Sequence, residues 1–118
     1  MSNVGAASIG LIASLLAAGF PSRAGQCEWV HGRFAVYQGS GVRRIRVIGT
    51  HHVLSLRDDD QRLPTDVARF VALNSDAALF GNFLVCARKP YVEGRMQQVE
   101  LRAARHLFLH GKPFAAQP

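Results

Sequence analysis

The side chains able to do chemistry in this chain are few, and most of them are arginines. Fourteen Lys and Arg residues face eight Asp and Glu, for a formal charge of +6, and only Lys89 and Lys112 are lysines. Guanidinium forks match phosphate and carboxylate oxygens two at a time, so the excess favours anionic partners. Arg43, Arg44 and Arg46 follow the glycine-containing stretch 39–41, and Arg88, Lys89, Tyr91 and Arg95 share a second stretch with Pro90 and Gly94. Tyr37 and Tyr91 add aromatic faces on which a base or sugar could stack.

Other chemistry finds less support. His31, His51 and His52 are a candidate zinc set, with Asp58, Asp59 and Asp60 as further donors. Adjacent strand residues such as His51 and His52 point to opposite faces, however, and no His-x-x-x-His or paired-Cys spacing is present. No metal or other cofactor is therefore expected. The aspartate run lacks the alternating oxygens and the glycine of a calcium loop and reads as a solvated loop favouring the start of the following helix. Ser40, Ser55 and Ser75 lie outside any nucleophile elbow, and no glycine-rich phosphate loop precedes a helix. The expectation is a non-enzymatic binding protein with no catalytic residue.

The elements that must carry these residues follow from periodicity. Over 27–38, Val30, Gly32, Phe34 and Val36 fall on one face and Trp29, His31, Arg33 and Tyr37 on the other, a strand in which Gly32 suggests a bulge or coil. Residues 43–49 alternate with Ile45 and Val47 inward and Arg44 and Arg46 outward, and 52–56 place Leu54 and Leu56 inward. Leu63, Val67, Phe70 and Val71 form the apolar stripe of a helix over 64–74, opened by Pro64 at the first helical position. The segment 78–86 is apolar on both faces, which predicts a strand packed on the core with one side and on the helix or a partner with the other. A fifth strand over 96–103 puts Val99, Leu101 and Ala103 on one face, and 106–109 extend it past a bulge at Ala104.

The order is strand, strand, strand, helix, strand, strand. It predicts a mainly β fold, a small five-stranded Greek-key barrel of the OB type with its helix between strands three and four. In such a barrel the first and fourth strands pair antiparallel, which brings Cys27 beside Cys86 and predicts a disulfide that fits an oxidising compartment. Residues 1–22 carry no charged side chain, and the apolar run 9–20 is too short and too rich in Ala, Gly and Ser to span a membrane. It reads as a secretory leader. Ser22-Arg23-Ala24 predicts a cut after Ala24, giving a signal peptide over 1–24, a barrel domain over 25–110 and a loose tail over 111–118. The absence of a basic residue from 1–4 leaves an uncleaved anchor or a mis-called start codon as the alternatives.

The segments Val30-His31-Gly32-Arg33-Phe34, Val47-Ile48-Gly49-Thr50-His51, Phe80-Gly81-Asn82-Phe83-Leu84-Val85-Cys86 and Met96-Gln97-Gln98-Val99 resemble those of a family of small exported proteobacterial proteins of uncharacterised function. The resemblance implies export to the periplasm or beyond and a bacterial source, but no activity. OB barrels bind ligands on the face of strands two and three, between the loops joining strands one to two and four to five. That rule selects Arg43, Arg44, Arg46, Arg88, Lys89, Tyr91 and Arg95 as an anion-binding set. The expected partner is an anionic envelope component or an acidic protein. Specific nucleic-acid binding is not expected outside the cytoplasm, nor is an integral membrane span after processing. A structural or protein-interaction subunit that uses the apolar strand 78–86 is the rival reading.

Overall fold

The structure, a computed structural model, describes residues 21–37, 41–56 and 62–114. Most of the leader, most of the turn 39–41 and the acidic run 58–60 lie outside the described residues. The elements are β1 (Cys27–Tyr37), β2 (Val42–Val47), β3 (Val53–Leu56), α1 (Thr65–Ala72), β4 (Leu79–Ala87), β5 (Gln97–Leu109) and β6 (Lys112–Pro113). The sheet runs β3-β2-β1-β4-β5-β6, and a further β3–β5 pairing closes the first five strands into a barrel. That seam is parallel and short, Leu54↔Gln97 to Leu56↔Val99, whereas the other pairings are antiparallel. This is the OB-like architecture, with its helix between β3 and β4.

Alternation places the core. Val30 and Phe34 of β1, Ile45 and Val47 of β2, Leu54 and Leu56 of β3, and Leu79, Phe83 and Val85 of β4 all point inward. The helix closes this interior. Pro64 is its N-cap, one residue before the expected position, and the Pro64 carbonyl accepts the Ala68 N–H. Val67 and Phe70 are buried, and the Phe70 ring meets Phe34 edge-on at 5.9 Å. Beyond Leu73 the chain turns at Asn74, which takes a left-handed φ of 53°, a conformation asparagine tolerates. Cys27 and Cys86 are register partners and form the expected disulfide, with Cα atoms 4.0 Å apart.

Four expectations change. Gly32 marks no bulge, since β1 pairs with both neighbours without a register shift. It serves close approach instead: a Cβ there would lie 2.6 Å from Ile45 Cγ2. The irregularities sit in β5, opposite Phe80/Asn82 and Leu84/Val85, on either side of Ala104, and His106 has a φ of 55°. The extra residue at the second of these turns Ala103 outward, opposite Leu84, and Ala104 inward, opposite Phe83. The outer face of β4 does not pack on the helix, because α1 buries its stripe in the barrel interior with Phe34 and Leu79. Finally, the segment expected as a tail from 111 begins with β6, and Phe114 packs edge-on against Phe70 at 6.3 Å.

Gly81 tests the close packing of β4 on β5. A Cβ there would meet Leu107 Cδ2 at 2.5 Å and the backbone oxygens of His106 and Arg105 at 3.0 and 3.1 Å. The Gly81→Ala variant is expected to lose about 1–3 kcal/mol in urea denaturation, because two of the three obstacles are backbone.

Candidate functional site

Outward-facing residues of β1 and β2 meet the turn after β2 and the loop before β5 in one groove made of two adjoining depressions. Val53, at the start of β3, and Met96, just before β5, line both.

The first depression, about 390 Å³, is the basic half. Arg44 and Arg46 line it because their neighbours Ile45 and Val47 point into the core. Arg33 joins them from β1, as the direct register partner of Arg46, while Ala35 lies opposite Arg44 and is only 6% exposed. The Arg44 guanidinium stacks over the Tyr37 ring at 4.7 Å, a cation–π contact that keeps the charge while fixing the side chain. Among the described residues no carboxylate pairs with Arg33, Arg44 or Arg46.

The second depression, about 630 Å³, is lined by Thr50, His51, His52, Tyr91, Glu93 and Arg95 around the shared pair. A tight turn shapes its wall: Gly49 takes a φ of 81°, Thr50 Oγ1 donates to the Val47 carbonyl at 2.8 Å, and the same oxygen accepts the His52 N–H at 3.0 Å. The His52 ring meets Tyr91 edge-on at 4.8 Å. Tyr91 is held from below, its N–H donating to the Ser22 carbonyl at 3.1 Å.

Of the seven residues selected from sequence, the fold brings Arg44, Arg46, Tyr91 and Arg95 together. Arg43 has the opposite parity, with Val36 and Leu56 as register partners, so it does not share the groove face. Arg88 continues off the end of β4 and pairs with Glu100 at 3.7 Å, at a shallow depression beside Cys86. Lys89 is exposed, and its carbonyl accepts a hydrogen bond from Gln97. Arg33, absent from that selection, is the addition. Its outward parity was legible, but its position beside Arg46 depends on the β1–β2 register.

The histidines divide. His51 and His52 line the groove, whereas His31 Nδ1 lies 3.2 Å from Asn82 Oδ1 on β4. Among the described residues no group of three His, Cys, Asp or Glu side chains is placed to hold a metal ion. On the outer face of β1, β4 and β5 a second surface exposes Trp29 (37%), Phe80 (40%) and Phe108 (43%). Arg105 lies over the Trp29 ring at 4.0 Å, and Phe80 stands opposite Phe108.

No described helix is long and apolar enough to cross a membrane. No protein-family model, curated protein or solved structure matches the chain, so its functional reading rests on the groove itself.

Proposed function

We propose that the protein is an exported, non-enzymatic binding module whose groove takes an anionic ligand, either an envelope component or the acidic face of a protein partner. The observation that carries this reading is the register pairing of Arg33 with Arg46, with Arg44 beside them on the same face. Like charges directly opposite one another across a sheet are destabilising. A face serving only solubility would intersperse acids among these arginines, as Glu100 stands between Arg88 and Arg102 on β5. An anion spanning the three guanidiniums offsets their repulsion and gains charge-assisted hydrogen bonds. The second depression adds the Tyr91 ring, the His52 ring and Arg95, suited to a ligand that extends beyond a single anionic group. The disulfide supports an extracytoplasmic setting.

The test compares two triple charge reversals on a sulfated-polysaccharide resin. Arg33→Glu/Arg44→Glu/Arg46→Glu changes the groove, whereas Arg62→Glu/Lys89→Glu/Lys112→Glu makes the same change in net charge at exposed positions outside it. The groove variant is expected to lose nearly all retention at moderate salt, with the control keeping most of it. Equal losses would mean that overall charge, and not the groove, is responsible.

A second reading has its own support. The exposed aromatic surface around Trp29, Phe80 and Phe108 spans β1, β4 and β5, with Phe80 on the outer side of the strand that is apolar on both faces, and it suits a protein-interaction role compatible with the groove.

A further inference from the structure

An export cut after Ala24 divides a segment that is built into the barrel. Pro21 is fully buried, and its carbonyl accepts a 2.6 Å hydrogen bond from Gln97 Nε2. The same amide donates to the Lys89 carbonyl at 3.0 Å. Gln97 is the one polar side chain buried among the described residues, 3% exposed, and it stands opposite Leu54 at the β3–β5 seam. The Ser22 carbonyl takes the Tyr91 N–H, the Arg23 carbonyl takes the Gln26 N–H, and Gln26 Oε1 accepts the Ser22 and Arg23 N–H groups at 3.1 Å each. Residues 21–26 thus form a closed turn whose first two carbonyls fasten the 88–96 loop to the barrel. A chain beginning at Gly25 loses the Pro21 ring, one acceptor of the buried Gln97 amide and the acceptor of the Tyr91 N–H.

A leader peptidase reads small residues at the third and first positions before its cut, just beyond the apolar run. Upstream of Pro21 that pattern recurs at Ala17-Ala18-Gly19, directly after the apolar stretch 9–16. We infer that export processing cuts the Gly19–Phe20 bond and so leaves the 21–26 turn on the mature protein. The reaction is hydrolysis by the host's leader peptidase. Water adds across the peptide bond, Gly19 leaves with the new carboxylate, and Phe20 keeps the new amine. This inference rests on the export reading above and adds to it the position of the mature N-terminus.

The experiment is intact-mass measurement on the full 118-residue chain expressed in a bacterial host with a leader-peptidase export route, combined with cell fractionation. The expected product is exported and begins at Phe20. An exported product beginning at Gly25 overturns the inference and leaves export standing, whereas an unprocessed chain kept in the cytoplasm overturns both. Gly19→Asp is expected to accumulate precursor, and Ala24→Asp, at an exposed position, to be processed as the unaltered chain is. The reverse pattern overturns the inference. A chain spanning 25–118 is also expected to melt several degrees below one spanning 20–118, and equal melting temperatures would remove the reason for keeping the turn.

Discussion

Replacing Cys27 and Cys86 together with alanine is expected to lower stability by about 4 kcal/mol, on chain-entropy grounds for a loop of this length. The cysteines are 59 residues apart, and the loop they close holds β2, β3, α1 and most of β1 and β4. In the folded state little should change, because β1 and β4 remain in register from Cys27↔Cys86 to Phe34↔Leu79. The effect falls on the unfolded chain, which regains the freedom of the opened loop. Urea denaturation of the double variant is the direct measurement. A domain of this size should melt roughly 15–30 °C lower, taking a few degrees per kcal/mol. A variant within 1 kcal/mol of the parent, measured the same way, would show that strand pairing alone holds these ends together.

Phe34→Ala is expected to cost about 3–5 kcal/mol, the usual range for an aromatic deleted from a core. Phe34 is 0% exposed and lies at the meeting point of two layers. Its ring is 5.9 Å from Phe70 of the helix and 6.2 Å from Phe83 of β4. Phe70 in turn meets Phe114 beyond β6, so Phe34 joins the barrel to the helix and, through it, to the C-terminal hairpin. Deleting it leaves a cavity that the surrounding strands, tied by backbone hydrogen bonds, cannot fill by collapse. Phe34→Leu should recover much of the loss. The aromatic contribution itself is read from a double-mutant cycle with Phe70→Leu, where a coupling of about 0.5–1.5 kcal/mol is expected for an edge-to-face pair. A cost below 1 kcal/mol for Phe34→Ala would mean that the helix is not held through this ring.

Features with a short repeat were readable from sequence. The parity of Val30 and Phe34, Ile45 and Val47, and Leu54 and Leu56 gave each strand its inner face, and the 3.6-residue spacing of Val67 and Phe70 located the helix. Strand order then implied the β1–β4 pairing, and with it the disulfide. Register was harder to read. The parity of Arg33 points it outward, yet its position opposite Arg46 depends on how many residues the β1–β2 connection absorbs. Proximity along the chain also misled: Arg43 adjoins Arg44 in sequence but lies on the other side of the strand. Arg88 and Arg95 share a loop, yet one pairs with Glu100 and the other lines the groove.

The β5 bulges show why period-two reading stops where it does. The inward residues run Leu101, Ala104 and Leu107, with an odd, even and odd number in turn. Strict alternation from Leu101 would drive Arg105 into the core, whereas the single extra residue before Ala103 delivers it to the Trp29 ring on the outside. The folding of residues 21–26 onto the barrel was likewise invisible beforehand. It depends on Gln97, a residue with no distinguishing neighbour in the sequence but a buried position in space.

The parallel seam is the least secured joint of the barrel. β3 has four residues and meets β5 over three pairs. Val53 and Met96, which line both halves of the groove, sit at the end of that joint. On the proposed reading, a ligand reaching from Arg46 on β2, the register partner of Val53, to Arg95 beside Met96 would lie across the joint between β3 and β5. Under that reading groove occupancy and barrel closure would be linked: a ligand binding across the joint would shift the molecule away from states in which β3 has come loose, by a free energy that grows with the logarithm of its concentration over its dissociation constant.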